Sequence, residues 1–144
     1  TYRVNSAYLS AGGDTLLIGD RQGRPWMVGI KDPRNDKKNA VVIPLDNTAL
    51  STSGDYERYF IDQGKRYHHI ISPTTGRSAD SVQSVSIIGP DATTTDALST
   101  SIFVLGSEKG MALVESLPNI EAIIIDQQRK MTYSSALQPP LANN

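Results

Sequence analysis

From Gln83 to Leu105 the chain reads QSVSIIGPDATTTDALSTSIFVL, and the apolar period changes within it. Val85 and Ile87 alternate with Ser84 and Ser86, the two-residue repeat of a strand with one buried face. Past Gly89 and Pro90, Leu98, Ile102 and Leu105 recur at helical spacing. A helix is therefore expected over Thr93 to Leu105, ended by Gly106 in the left-handed conformation. A strand that turns directly into a helix, after a sheet-rich first part, places the chain in the α+β class.

Upstream, Gly and Pro separate short apolar runs with the length and β-branched content of strands. The expected strands are Tyr8-Leu9, Thr15 to Ile18, Trp26 to Ile30, Ala40 to Ile43, Ala49 to Thr52 and His68 to Ile71. Downstream, Ser107 is placed to cap a second helix carrying Met111, Val114 and Leu117, which Pro118 stops. Ile120 to Ile125 then reads as a central strand, apolar on both faces and expected to be covered by the two helices. Residues 1–134 are expected to form one domain portion and 135–144 a poorly ordered tail. The chain opens at Thr1, directly in a strand-like stretch, and is read as part of a longer protein.

With 144 residues the chain suits one domain, and at that size about 70% of the unfolded surface is typically buried. Fourteen Lys and Arg against 15 Asp and Glu leave a formal charge of -1, which gives no electrostatic reason to expect nucleic acid as partner. Without cysteine, thiolate metal sites, disulfides and cysteine nucleophiles are excluded. Any metal must be held by oxygen or imidazole. No apolar run approaches the ~20 residues that a membrane-spanning helix requires.

Three segments could carry chemistry. In Pro90 to Thr100, Asp96 and Thr100 are four apart, so on a helix they share a face one turn from each other. Their oxygens could meet one magnesium ion, which prefers six oxygen ligands and usually completes its shell with water and substrate phosphates. Thr93 and Asp96 also fit a variant of the capping box, the commoner use of such spacing, although capping leaves Thr100 unexplained. In Gly64 to Gly76 lie the only two histidines, His68 and His69, which alternate across a strand, so at most one faces a given site. An imidazole, ordinarily titrating near 6.5, suits a general base for a hydroxyl nucleophile, and equally a hydrogen-bonded structural role. In Leu50 to Phe60, the Ser51-Thr52-Ser53-Gly54 run lets backbone amides approach a phosphate closely, though no Walker-type lysine follows the glycine.

Taken in order, these segments resemble the ApbE family of FAD:protein FMN transferases. The resemblance rests on Ser51-Thr52-Ser53-Gly54-Asp55-Tyr56, on His68-His69-Ile70, and on the helix from Asp96 to Thr100. It extends to Ala11-Gly12-Gly13-Asp14 and Gly23 to Ile30 upstream, and to Phe103 to Gly110 downstream. It implies a layered sheet-and-helix arrangement similar to the T-fold, present here as its C-terminal portion. It also implies that Asp96 and Thr100 bind magnesium and that His68, His69, Ile70, Ser53 and Gly54 line the flavin nucleotide site. His69 would help to deprotonate a threonine hydroxyl of an acceptor protein, to which FMN passes from FAD as AMP leaves. Two open alternatives keep the same site, a pyrophosphatase giving FMN and AMP and a non-catalytic flavin-binding protein. The family implies an extracytoplasmic location, periplasmic or anchored at the inner membrane. The chain departs from the family at Ser72-Pro73-Thr74, where aspartate-proline-arginine is common, and at Ser10, where asparagine is usual.

Overall fold

The structure, a computed structural model, describes residues 4–137. Its main element is a six-stranded antiparallel sheet built from β1 (Ala7–Ala11), β2 (Asp14–Ile18), β5 (Ala49–Gly54), β8 (Val82–Gly89), β9 (Glu121–Asp126) and β10 (Met131–Tyr133) in that spatial order. Two hairpins stand apart from it, β3 (Trp26–Asp32) with β4 (Asn35–Leu45), and β6 (Tyr59–Asp62) with β7 (Lys65–His68). Helices α1 (Ala92–Leu105) and α2 (Ser107–Ser116) lie between β8 and β9 in sequence and cover one face of the sheet. The class is α+β. No helix among the described residues is long and apolar enough to cross a membrane.

Strand alternation divides the core into two layers. Val85 and Ile87 of β8 and Ala122 and Ile124 of β9 point toward Ile102, Phe103 and Val114 of the helices. Leu50, Ile88 and Ile123 point the other way, to Leu17 and to Val28 and Ile30 of the β3–β4 hairpin. This corrects two expectations. β8 has two buried faces rather than one, with Ser84 and Ser86 as buried as their apolar neighbours. β9 is covered on both sides as expected, but by the helices on one side and the hairpin on the other. An alternating pattern cannot reveal the second cover, because serine fits either solvent or a closely packed layer.

The edges of the elements shift in ways that turn chemistry explains. The strand expected over His68 to Ile71 lies instead at Lys65–His68, sharing only His68 with that span, and it pairs with β6, which the apolar pattern does not mark. Asp62 pairs with Lys65 across a two-residue loop in which Gln63 (φ 48°) and Gly64 (φ 78°) both take positive φ. This is the twist-matched hairpin loop that usually advertises itself as Asn-Gly, here with glutamine in the first place. Ser107 is the first residue of α2 rather than its cap; Gly106 (φ 82°) occupies the cap position. Ser135 to Leu137, expected in the tail, form a 3-10 turn held by the Glu115 carboxylate, which accepts from the Ser135 amide and hydroxyl at 2.7 Å each. Of the expected tail, residues 138–144 lie outside the described residues.

Helix α1 is capped by Asp91, whose Oδ1 accepts the Thr94 amide at 2.9 Å. Neither Thr93 nor Asp96 caps it. The bonds from Thr94 hold the Asp91 carboxyl below its ordinary value of 3.8. A depressed carboxyl pKa contributes stability that is present above the unfolded value and is lost as pH falls through the folded one. Asp91→Asn is expected to retain the cap while flattening the loss of stability below about pH 4. Urea unfolding at pH 3 and pH 7 would show this, and an unchanged pH dependence would remove Asp91 as its source.

Candidate functional site

The site is assembled where the C-terminal end of β5 meets the middle of α1. Alternate residues of β5 face the helix, and the two after Ala49, Ser51 and Ser53, are hydroxylic. Ser51 Oγ lies 2.8 Å from Thr95 Oγ1, and Ser53 Oγ lies 2.8 Å from Ser99 Oγ and 2.9 Å from Thr100 Oγ1. The intervening Thr52 faces the opposite layer and pairs with Ser86 at 2.8 Å. Small polar side chains thus let helix and strand approach closely while every hydroxyl keeps a partner. Asp96 and Thr100 are exposed on α1, one turn apart, and Asp96 is free of the cap. Among the described residues no group of three or more His, Asp or Glu converges on one point. This chain therefore offers one carboxylate and one hydroxyl, both hard oxygen donors of the kind magnesium accepts when substrate and water supply the rest.

The two histidines separate in function. His68 is buried, packed edge-to-face with Phe103 of α1, three residues past Thr100, at 5.5 Å between ring centroids. Its Nδ1 accepts the Ile70 amide at 3.3 Å, so its Nε2 carries the hydrogen that is donated to the Ala79 carbonyl at 2.7 Å. Both nitrogens are occupied within the chain, which makes His68 a support for the bend after β7. Ile70 is likewise a core residue, 4% exposed, with its carbonyl accepting the Ala79 amide at 3.0 Å. His69 is exposed, and its contacts run to the Arg58 carbonyl, from the backbone amide at 3.2 Å and from Nδ1 at 3.4 Å. Of the expected site residues, Ser53 and Thr100 touch directly, Asp96 lies one turn away, and His68 meets the same helix through Phe103. His69 alone presents its ring outward.

Gly54 follows Ser53, and any Cβ there would sit 2.4 Å from the ring of Tyr56, so only glycine allows the chain to turn under that ring. Burial pushes the Tyr56 phenol up, and the neighbouring Glu57 and Asp55 carboxylates act in the same direction. Between Gly54 and Tyr56, Asp55, 2% exposed, receives a bidentate pair from Arg34, at 2.7 and 2.6 Å. Those hydrogen bonds hold the Arg34 guanidinium above its ordinary value against the opposing effect of burial. The Asp55 amide donates to Gln83 on β8 at 3.0 Å, and its carbonyl accepts from Arg66 on β7 at 3.3 Å. Arg66 also stacks 3.8 Å over the Tyr59 ring. A cleft of about 380 Å³ opens beside this junction, lined by Lys31, Arg34, Tyr56 and Arg66 among others. In the sequence Asp55 stands out only as part of a motif and Arg34 not at all, because nothing local marks a hairpin-loop residue whose partner lies at the end of a distant strand.

The sequence profile described as the ApbE family matches residues 1–124. The chain belongs to the ApbE family. It is 38% identical over 147 aligned residues to the FAD:protein FMN transferase of Treponema pallidum, covering 94% of this chain and 41% of that protein. It is 36% identical to the protein of the same name from Vibrio cholerae, covering 96% of this chain and 43% of that protein. Among solved structures, the ApbE protein of Thermotoga maritima superimposes with a TM-score of 0.83 at 42% identity, over 91% of this chain and 43% of that one. The flavin transferase ApbE of Vibrio cholerae superimposes with a TM-score of 0.76 at 35% identity, over 92% of this chain and 43% of that one. The chain thus spans about two fifths of the length of these ApbE relatives. The ordered motifs fall within the ApbE match, so the family resemblance and the geometry concern the same residues.

Proposed function

We propose that the full-length protein is a magnesium-dependent FAD:protein FMN transferase, which moves FMN from FAD to a threonine hydroxyl of an acceptor protein and releases AMP. The observation that carries this reading is the placement of Asp96, exposed and free of capping, one turn before a Thr100 hydroxyl that is fixed from β5 by Ser53. Asp96 and Thr100 would hold magnesium, which when bound neutralises pyrophosphate charge. Gly54 is buried beneath the Tyr56 ring, so of the Ser53-Gly54 pair it is Ser53 that stands at the site, through its contact with Thr100. In the reaction the threonine oxygen forms a bond to the FMN phosphorus, the bond from that phosphorus to the bridging oxygen breaks, and AMP leaves with that oxygen. The hydroxyl proton passes to His69, whose exposed ring can be reached by a protein substrate; such a step typically contributes about 100 to 10,000-fold. His68 and Ile70 act from beneath, holding the bend that presents His69.

Incubation of the full-length protein with FAD, magnesium and a threonine-bearing acceptor tests this directly. The expected result is an acceptor that carries covalent flavin fluorescence, with one AMP released per flavin attached. Release of FMN and AMP with no labelled acceptor would replace the transferase with a pyrophosphatase. Recovery of intact FAD would leave a binding protein.

A further inference from the structure

A hydroxyl has one proton to donate and lone pairs to accept with, so a row of hydroxyls has a direction once one end is fixed. Here one end is fixed. Ser99 Oγ donates to the backbone carbonyl of Asp96 at 2.9 Å, and a carbonyl can only accept. With the Ser99 proton committed, the 2.8 Å contact between Ser99 and Ser53 is made by the proton of Ser53. With that proton committed as well, the 2.9 Å contact between Ser53 and Thr100 is made by the proton of Thr100. The Thr100 hydrogen therefore points into the β5–α1 contact, and the oxygen lone pairs are left for the exposed side, where Asp96 stands one turn away.

We infer that Ser53 and Ser99 are positioning residues that orient the Thr100 hydroxyl as an acceptor, presenting its oxygen to a cation while fixing its χ1. The inference rests on the proposed magnesium-dependent transfer and adds a role for two residues that need not touch the ion. It explains why β5 continues its hydroxyl spacing to Ser53 beyond the buried Ser51–Thr95 pair. In that pair the same order holds one turn earlier, with Thr95 Oγ1 donating to the Ala92 carbonyl at 3.1 Å. The earlier pair is closed, whereas the later one ends on an exposed oxygen.

The test uses the full-length protein with Ser53→Ala, Ser53→Thr and Ser99→Ala. Ser53→Ala is expected to raise the magnesium concentration for half-maximal FMN transfer by about 10 to 100-fold, the usual effect of removing an outer partner of a metal ligand. Ser53→Thr, which keeps the hydroxyl, should restore most of the midpoint. Ser99→Ala releases the Ser53 proton to turn toward Thr100, and should shift the midpoint in the same direction. Scalar couplings of Thr100 in the metal-free protein provide a second readout, expected to change from one χ1 rotamer to an average in Ser53→Ala. A variant with lowered melting temperature but an unchanged magnesium midpoint and an unchanged Thr100 rotamer would overturn the inference. If the wild type shows no magnesium-dependent transfer, the functional reading fails, and the rotamer measurement alone decides the positioning.

Discussion

Asp96→Ala in the full-length protein is expected to slow FMN transfer at least about 100-fold, the scale on which a preorganised electrostatic contact to a reacting group is felt. The same substitution should leave stability within about 0.5 kcal/mol, because an exposed side chain outside any cap or core has little to lose. That separation of rate from stability is what distinguishes a ligand from a structural residue on this helix. Excess magnesium should recover part of the rate. A transfer rate within threefold or so of wild type would remove Asp96 from the metal site and leave Thr100 as an ordinary helix hydroxyl.

The second large effect is on the fold. Arg34→Ala leaves the Asp55 carboxylate, with a side chain 3% exposed, without its bidentate partner. Removing one member of a buried pair typically costs about 3 to 5 kcal/mol, since the remaining charge is neither solvated nor compensated. A protein domain is stable by only about 5 to 15 kcal/mol, so this loss approaches the limit. The double replacement Arg34→Met with Asp55→Leu should recover most of it, because neither charge then remains buried. Urea unfolding would resolve the series, and a loss below about 1 kcal/mol in the single variant would show that water reaches Asp55.

What the sequence discloses is set by the range of the interaction. The strand ending near Ile88, the helix after Pro90 and the apolar run through Ile123 all follow from period and punctuation within a few residues. Asp96 with Thr100 belongs to the same class, because four residues on a helix are local. The pairing of Asp55 with Arg34 joins the end of β5 to the loop of the β3–β4 hairpin, and the sequence carries no mark of it. The cap illustrates a subtler limit. Asp91 and Thr93 both have the chemistry, and the choice depends on Asp91 taking extended backbone, φ −142° and ψ 149°, as β8 gives way to the helix. Similarly, His68 and His69 are equivalent in composition, and only the bend after β7 turns one inward against Phe103 and the other toward solvent.

The two hairpins also bear on how the chain assembles. β3–β4 occupies the connection from β2 to β5, and β6–β7 the connection from β5 to β8. Neighbours in the main sheet are thus separated by long stretches of chain, and closing such loops has an entropic cost that slows folding. A hairpin forms on its own within about 1 to 10 μs and shortens the loop it occupies before the sheet strands meet. The Gln63-Gly64 turn, on the surface and away from α1, closes the hairpin that shortens the loop between β5 and β8.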